Sequence, residues 1–130
     1  MPTTTAMTDA LESLLLVRLS QGSGTINQIT HIQILSALGT DGTQTEMTGT
    51  VGRQGISLTP TSTSGSPIKN TNVITFTNSG WGSTSVYGVA FYTALTGGSC
   101  YLYGNFDSVV TVAAGQSLQF NIDGITISMD

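Results

Sequence analysis

The sequence predicts a mainly β fold, an antiparallel β-sandwich or jelly roll with one short N-terminal amphipathic helix. Three observations carry that prediction. From Asn72 to Asp130 apolar residues alternate with hydroxyl and amide residues in short runs, the pattern of strands with one face buried. Asn78-Ser79-Gly80, Gly97-Gly98 and Ala114-Gly115 break those runs, and short strands at such spacing suit two packed sheets. Only one segment, Thr8 to Ser20, carries a helical period.

Residues 1–7 precede any periodic segment and are expected to form a flexible N-terminal arm, with residues 8–130 as one domain. In the helix, Leu11, Leu14, Leu15 and Leu19 recur at i, i+3, i+4 and i+8. Asp9 and Glu12 stand at capping-box spacing near the positive end of the helix dipole, and Arg18 lies in the last turn. Gln21-Gly22-Ser23-Gly24 ends the helix. The leucine stripe is expected to cover an edge or end of the sheet core; the alternative has it pack against another subunit.

Thr30 to Leu35 reads as a strand with Ile32 and Ile34 on one face and His31 and Gln33 on the other. Gly39 to Thr43 is a loop, Val51 to Leu58 a weaker strand, and Pro60 to Pro67 an exposed loop by its Thr, Ser and Gly content. Val73 to Phe76, Val86 to Tyr92, Tyr101 to Phe106 and Val109 to Val112 follow as strands. At the end, Leu118, Phe120 and Ile122 alternate with polar residues, as do Ile125, Ile127 and Met129, and Asp123-Gly124 separates the two runs. Asp-Gly suits a two-residue type I′ turn, so a closing hairpin is expected, pairing 122 with 125, 120 with 127 and 118 with 129.

The 130 residues fit a single core. Only 8% of them are charged, against about 25% in average soluble proteins. Thr, Ser, Asn, Gln and Gly supply polarity instead, and an uncharged surface is cheaper to desolvate than a charged one. Such a surface suits a part covered by neighbours in a larger object. The net charge is −4 and the three basic residues, Arg18, Arg53 and Lys69, are scattered, so a nucleic-acid footprint of clustered cations is missing. No run approaches the roughly 18–20 apolar residues of a membrane span, and Met1 to Thr5 lacks the basic start of a signal peptide.

The lone Cys100 excludes an intrachain disulfide and four-cysteine zinc sites. His31 is the one histidine and no nucleophile motif accompanies it, so a surface or interface role is expected rather than catalysis. The seven carboxylates show no calcium-loop spacing. Trp81, between Gly80 and Gly82, could stack on a sugar ring with Tyr87, Tyr92, Tyr101 and Tyr103 nearby. The favoured role is a plug at the end of the sandwich core.

Gly52-Arg53-Gln54, Asn72 to Phe76, Gly80-Trp81-Gly82 running to Val89, Leu95 to Gly98, Leu102-Tyr103-Gly104 and Val109 to Gly115 form an ordered set that resembles small virion structural proteins of tailed bacteriophages. The helix also stands where that family would have one, while Gly22 to Thr45 departs from its pattern. Members are labelled head decoration (cement) proteins or tail-fibre-like and minor tail proteins. The resemblance implies a virion part and no catalytic residues.

The function expected on these grounds is capsid decoration: a cement protein on the outer surface of the head, bound to the major capsid protein shell and stabilising it, assembled in the host cytoplasm. It would associate with itself as a homotrimer or a dimer. The expected contact residues are Pro2, Thr3, Thr4 and Thr5 of the arm, Leu11 and Leu15 of the helix, and Trp81. No enzyme activity, cofactor, metal, nucleic acid or membrane is expected. The alternative is a tail-fibre-like or minor tail protein touching host glycans through Trp81 and its neighbouring tyrosines. A third class, a free carbohydrate-binding module or small hydrolase, has no feature that requires it.

Overall fold

The computed structural model describes residues 3–59 and 67–127. Antiparallel strands form wherever alternation places apolar side chains on one face. In chain order the elements are β1 (Thr3–Met7), α1 (Asp9–Gln21), β2 (His31–Leu35), β3 (Gln54–Gly55), β4 (Ile68–Lys69), β5 (Ile74–Thr77), β6 (Ser85–Tyr92), β7 (Cys100–Thr111), β8 (Ser117–Phe120) and β9 (Thr126–Ile127). A five-stranded sheet has the order β1-β7-β6-β2-β3, and two two-stranded sheets pair β4 with β9 and β5 with β8. The mainly β, antiparallel class expected from the sequence is the one observed.

Ile32, Ile34, Val89 and Phe91 of the large sheet meet Ile74, Phe76, Leu118 and Phe120 of the β5–β8 pair, with Ile125 and Ile127 closing the same core. Phe106 and Phe120 pack across it with ring centroids 6.4 Å apart. The other face of the large sheet carries a smaller cluster of Leu35, Ala90, Tyr92 and Tyr103. The loop after β2 folds over that cluster: the Gly39 N–H donates to Asn105 Oδ1 at 2.8 Å, and Asn105 Nδ2 donates back to the Gly39 carbonyl at 3.0 Å. Close approach requires glycine there, because a Cβ would press on the Tyr103 ring. With both faces covered, Gln33 is buried rather than outward as expected, and its Oε1 accepts from the Ile34 N–H at 2.9 Å.

The closing hairpin does not form. β8 pairs with β5, Phe120 opposite Ile74, while β9 pairs with β4, Ile127 opposite Ile68. The Asp123-Gly124 turn exists, with Asp123 at φ 64° and the Gly124 N–H donating to the Asn121 carbonyl at 2.8 Å. It hands the chain from one small sheet to the other. Asn70 sets that path: fully buried, it donates from Nδ2 to the carbonyls of Asn72 and Asn121 and accepts at Oδ1 from the Ile125 N–H. Ile122, expected on the core face, is 57% exposed at the tip. Met129 lies outside the described residues.

Val109 to Thr111 are not a separate strand but the end of β7, which runs 12 residues, and Val112 lies just past it. The pairing of β7 with β6 shifts between Val86 and Gly88, where Val86 faces Val110 but Gly88 faces Asn105. Extra β7 residues bulge out there.

The arm expected over residues 1–7 is, in its described part, an edge strand: Thr3 to Met7 pair with Phe106 to Leu102. β6 pairs with one side of this stretch of β7, and the N–H and C=O groups on its other side are satisfied by this uncharged segment.

Candidate assembly surface

Thr8 joins β1 to α1. Its N–H donates to the Tyr101 carbonyl at 3.0 Å, and its hydroxyl donates to the Cys100 carbonyl at 2.6 Å while accepting from the Leu11 N–H at 3.3 Å. Thr8 is therefore the N-cap, not Asp9. Its extended backbone and short oxygen suit that position, which shifts Asp9 and Glu12 into the first turn. The Asp9 N–H donates to the Asp41 carbonyl at 3.0 Å, fixing the helix start to the loop after β2. Gly22 caps the other end at φ 67°, donating to the Arg18 carbonyl, and Arg18 Nη1 donates back to the Gly22 carbonyl at 2.9 Å.

No residue of α1 is buried. Leu11, Leu14 and Leu15 are half-buried, whereas Leu16 is 66% and Leu19 83% exposed, with Val17 also at the surface. The expected covering by the leucine stripe is met in part: Leu11, Leu14 and Leu15 are half-buried where α1 meets β7, whereas Leu19 of the stripe stays open.

Of the expected contact residues, Pro2 lies outside the described residues; Thr3, Thr4 and Thr5 are in β1; Leu11 and Leu15 are half-buried on α1. Trp81 is only 9% exposed and belongs to the main core, so a surface contact through it is corrected to the plug. Two loops hold it there. Gly49 bridges Trp81, the Thr50 N–H donates to the Gly80 carbonyl at 3.1 Å, and the Gly82 N–H donates to the Thr48 carbonyl at 2.8 Å. Asn78 Oδ1 accepts from the Trp81 N–H at 3.1 Å. Gly49 sits at φ 93°, where a Cβ would run into the Gly80 carbonyl. Tyr92, Tyr101 and Tyr103 are buried as well, so no aromatic platform forms around Trp81.

The remaining polar groups serve the scaffold. Arg53 pairs with Glu46 at 2.9 Å, stacks 3.6 Å over the Tyr92 ring, and donates to the carbonyls of Ala94 and Gly97 at 2.8 Å each. The Glu46 carboxylate, bonding its side chain, raises the Arg53 pKa. This one residue pins the loop between β6 and β7, a role that the spacing of Glu46, Arg53 and Tyr92 along the chain did not signal. His31 Nδ1 lies 2.8 Å from the Thr30 hydroxyl. Burial pushes the Cys100 thiol up to about 11, so it stays protonated near neutrality and is a poor nucleophile. Among the described residues no three His, Cys, Asp or Glu side chains gather as a metal would require.

The surface that is left is uncharged and hydroxylated. Thr75, Thr77, Ser117 and Gln119 stand exposed on the β5–β8 pair, the Thr77 and Ser117 hydroxyls 2.8 Å apart. With the open leucines of α1 and the outer edge of β1, these faces make a described surface that is largely uncharged. The chain belongs to the family described as Podophage GP4 fiber I protein gp80, whose model matches residues 6–128. It is a structural protein of the phage virion. No curated protein matches the chain, and among the described residues no helix is long and apolar enough to cross a membrane.

Proposed function

We propose that this chain is a fibre component of the virion, attached at the tail, and that its role is cohesive rather than catalytic. The observation that carries the reading is the match over residues 6–128 to a family described by a fibre protein. The surface is compatible with it. Hydroxyl-bearing strand faces and exposed leucines can bury area against copies of the same chain and against other virion proteins, with little charge to desolvate. Glycan contact through Trp81 is not part of the proposal, because that ring is in the core.

Head decoration draws on the same surface chemistry, but no observation favours it over the fibre, so it ranks second. Locating the chain in purified particles by cryo-microscopy, with copy number from quantitative gels, tests the reading. A small number of copies at the tail is expected. Hundreds of copies over the head would replace the fibre with the major capsid protein shell as the binding site, and absence from particles would overturn both.

A further inference from the structure

We propose that β1 and α1 together form the surface through which one copy of this chain binds a second, by antiparallel addition of β1 to β1 about a two-fold axis. Two separate features of the N-terminal unit point to it. The first is the helix. At 13 residues α1 is near the length at which an isolated helix is marginal in water, and helices in proteins draw most of their stability from a packed apolar face. α1 buries no residue, and Leu16 and Leu19 are among the most exposed apolar side chains described. Asp9, Glu12, Leu16 and Leu19 recur at i, i+3, i+7 and i+10, so the open leucines share one seam with the acidic pair.

The second is the strand edge. β1 ends the five-stranded sheet, and among the described residues nothing pairs with its outer side. Proteins blunt free edges with charge, proline, bulges or brevity. β1 carries none of these over Thr3–Met7, and its register with β7 is unbroken. The opposite edge, β3, is only two residues long and follows the ion-paired Arg53. One edge of the sheet is closed to additions and the other is open.

Two-fold symmetry fits both features. A strand edge meets its own copy antiparallel, each supplying the donors the other accepts. The axis that does this stands perpendicular to the joined sheet, keeps both α1 helices on the same face and runs them antiparallel. Overlap of their C-terminal halves then brings Leu16 and Leu19 of both copies together and leaves Asp9 and Glu12 beyond the contact, in water. A parallel pair would oppose the carboxylates to their own copies. The area argues for strand and helix acting together: a stable interface takes roughly 800 Å² per partner, more than Leu16 and Leu19 supply, and β1 directly precedes α1 in the chain.

Analytical ultracentrifugation of the full chain, with hydrogen exchange on the same samples, tests this. The wild type is expected to sediment as a dimer with protected β1 amides. Leu16→Glu/Leu19→Glu is expected to dissociate at least roughly tenfold more readily and to lose protection at the β1 amides that point away from β7, while those bonded to β7 and the amides of β5 and β6 keep theirs. If that variant fails to fold, Leu19→Ser, at the more exposed position, is expected to give the same shift to a smaller extent. A monomeric wild type, a dimer that both variants leave intact, or β1 amides equally exposed in wild type and variant would overturn the proposal. Because the isolated chain is measured, this result is independent of where in the virion the chain is found.

Discussion

Asn70 shows how much one polar side chain can decide. Alanine at this position would leave the buried Ile125 N–H without its acceptor and would take one donor from the carbonyls of Asn72 and Asn121. Each unsatisfied buried group costs about 1–3 kcal/mol. Asn70→Ala is therefore expected to lower unfolding stability by about 1–3 kcal/mol in urea titrations, and Asn70→Asp, which keeps the acceptor but sets a buried carboxylate against two carbonyl oxygens, should cost at least as much at neutral pH. Tyr103 gives a pH signature. Its hydroxyl donates to Asp41 Oδ1 at 2.6 Å, and that bond together with burial holds the phenol up to about 12 against an ordinary 10.0. The unfolded chain releases this proton first, so the stabilisation is complete below pH 10, and falls away as pH rises through about 12. Thermal unfolding across alkaline pH should show the decline, and Tyr103→Phe should lack this part of it.

At the scale of elements, the partner of β8 is the decisive assignment. Thr77 faces Ser117 across the β5–β8 pair, with their hydroxyls in contact. Thr77→Cys/Ser117→Cys is therefore expected to oxidise readily to a cross-strand disulfide, since directly opposed strand residues bring Cβ atoms within bridging reach. Asn121→Cys/Thr126→Cys would be opposed in a closing hairpin and should remain reduced. Mass spectrometry of the two variants after mild oxidation separates the pairings; cross-linking of the second pair would contradict the observed topology. α1 is a different kind of element, held at its start by Thr8 and Asp9 and open along its outer side. Its ends are set within the chain, whereas Leu16 and Leu19 on its outer side are covered by no described residue.

For the whole molecule, composition sets the energetics. With three basic residues in the chain, and one ion pair described, at Arg53 and Glu46, stability rests on apolar burial, backbone ladders and buried amides. Exposed pairs contribute about 0–1 kcal/mol, and salt screens only that part. Melting temperature is expected to change little between low and physiological sodium chloride, a comparison that calorimetry makes directly. A large drop would mean that charge carries more of the fold than the structure assigns to it.

The sequence by itself determined the class of fold, the helix, most strands and the burial of Leu118, Phe120, Ile125 and Ile127, because these follow from alternation, periodicity and turn chemistry within a few residues. It also placed Trp81 as a plug and pointed to a phage virion. Only the tertiary structure decided which strands pair: a two-residue turn specifies a reversal, but Asn70, more than 50 residues away from Asn121 in sequence, decides which neighbours the chain meets after it. Likewise, a leucine stripe records that a face seeks burial and not what covers it. That β1 closes one side of β7, that Arg53 gathers Glu46, Tyr92 and a distant loop, and that α1 keeps its leucines open are long-range outcomes, set by competition among surfaces that exist only once the chain has folded.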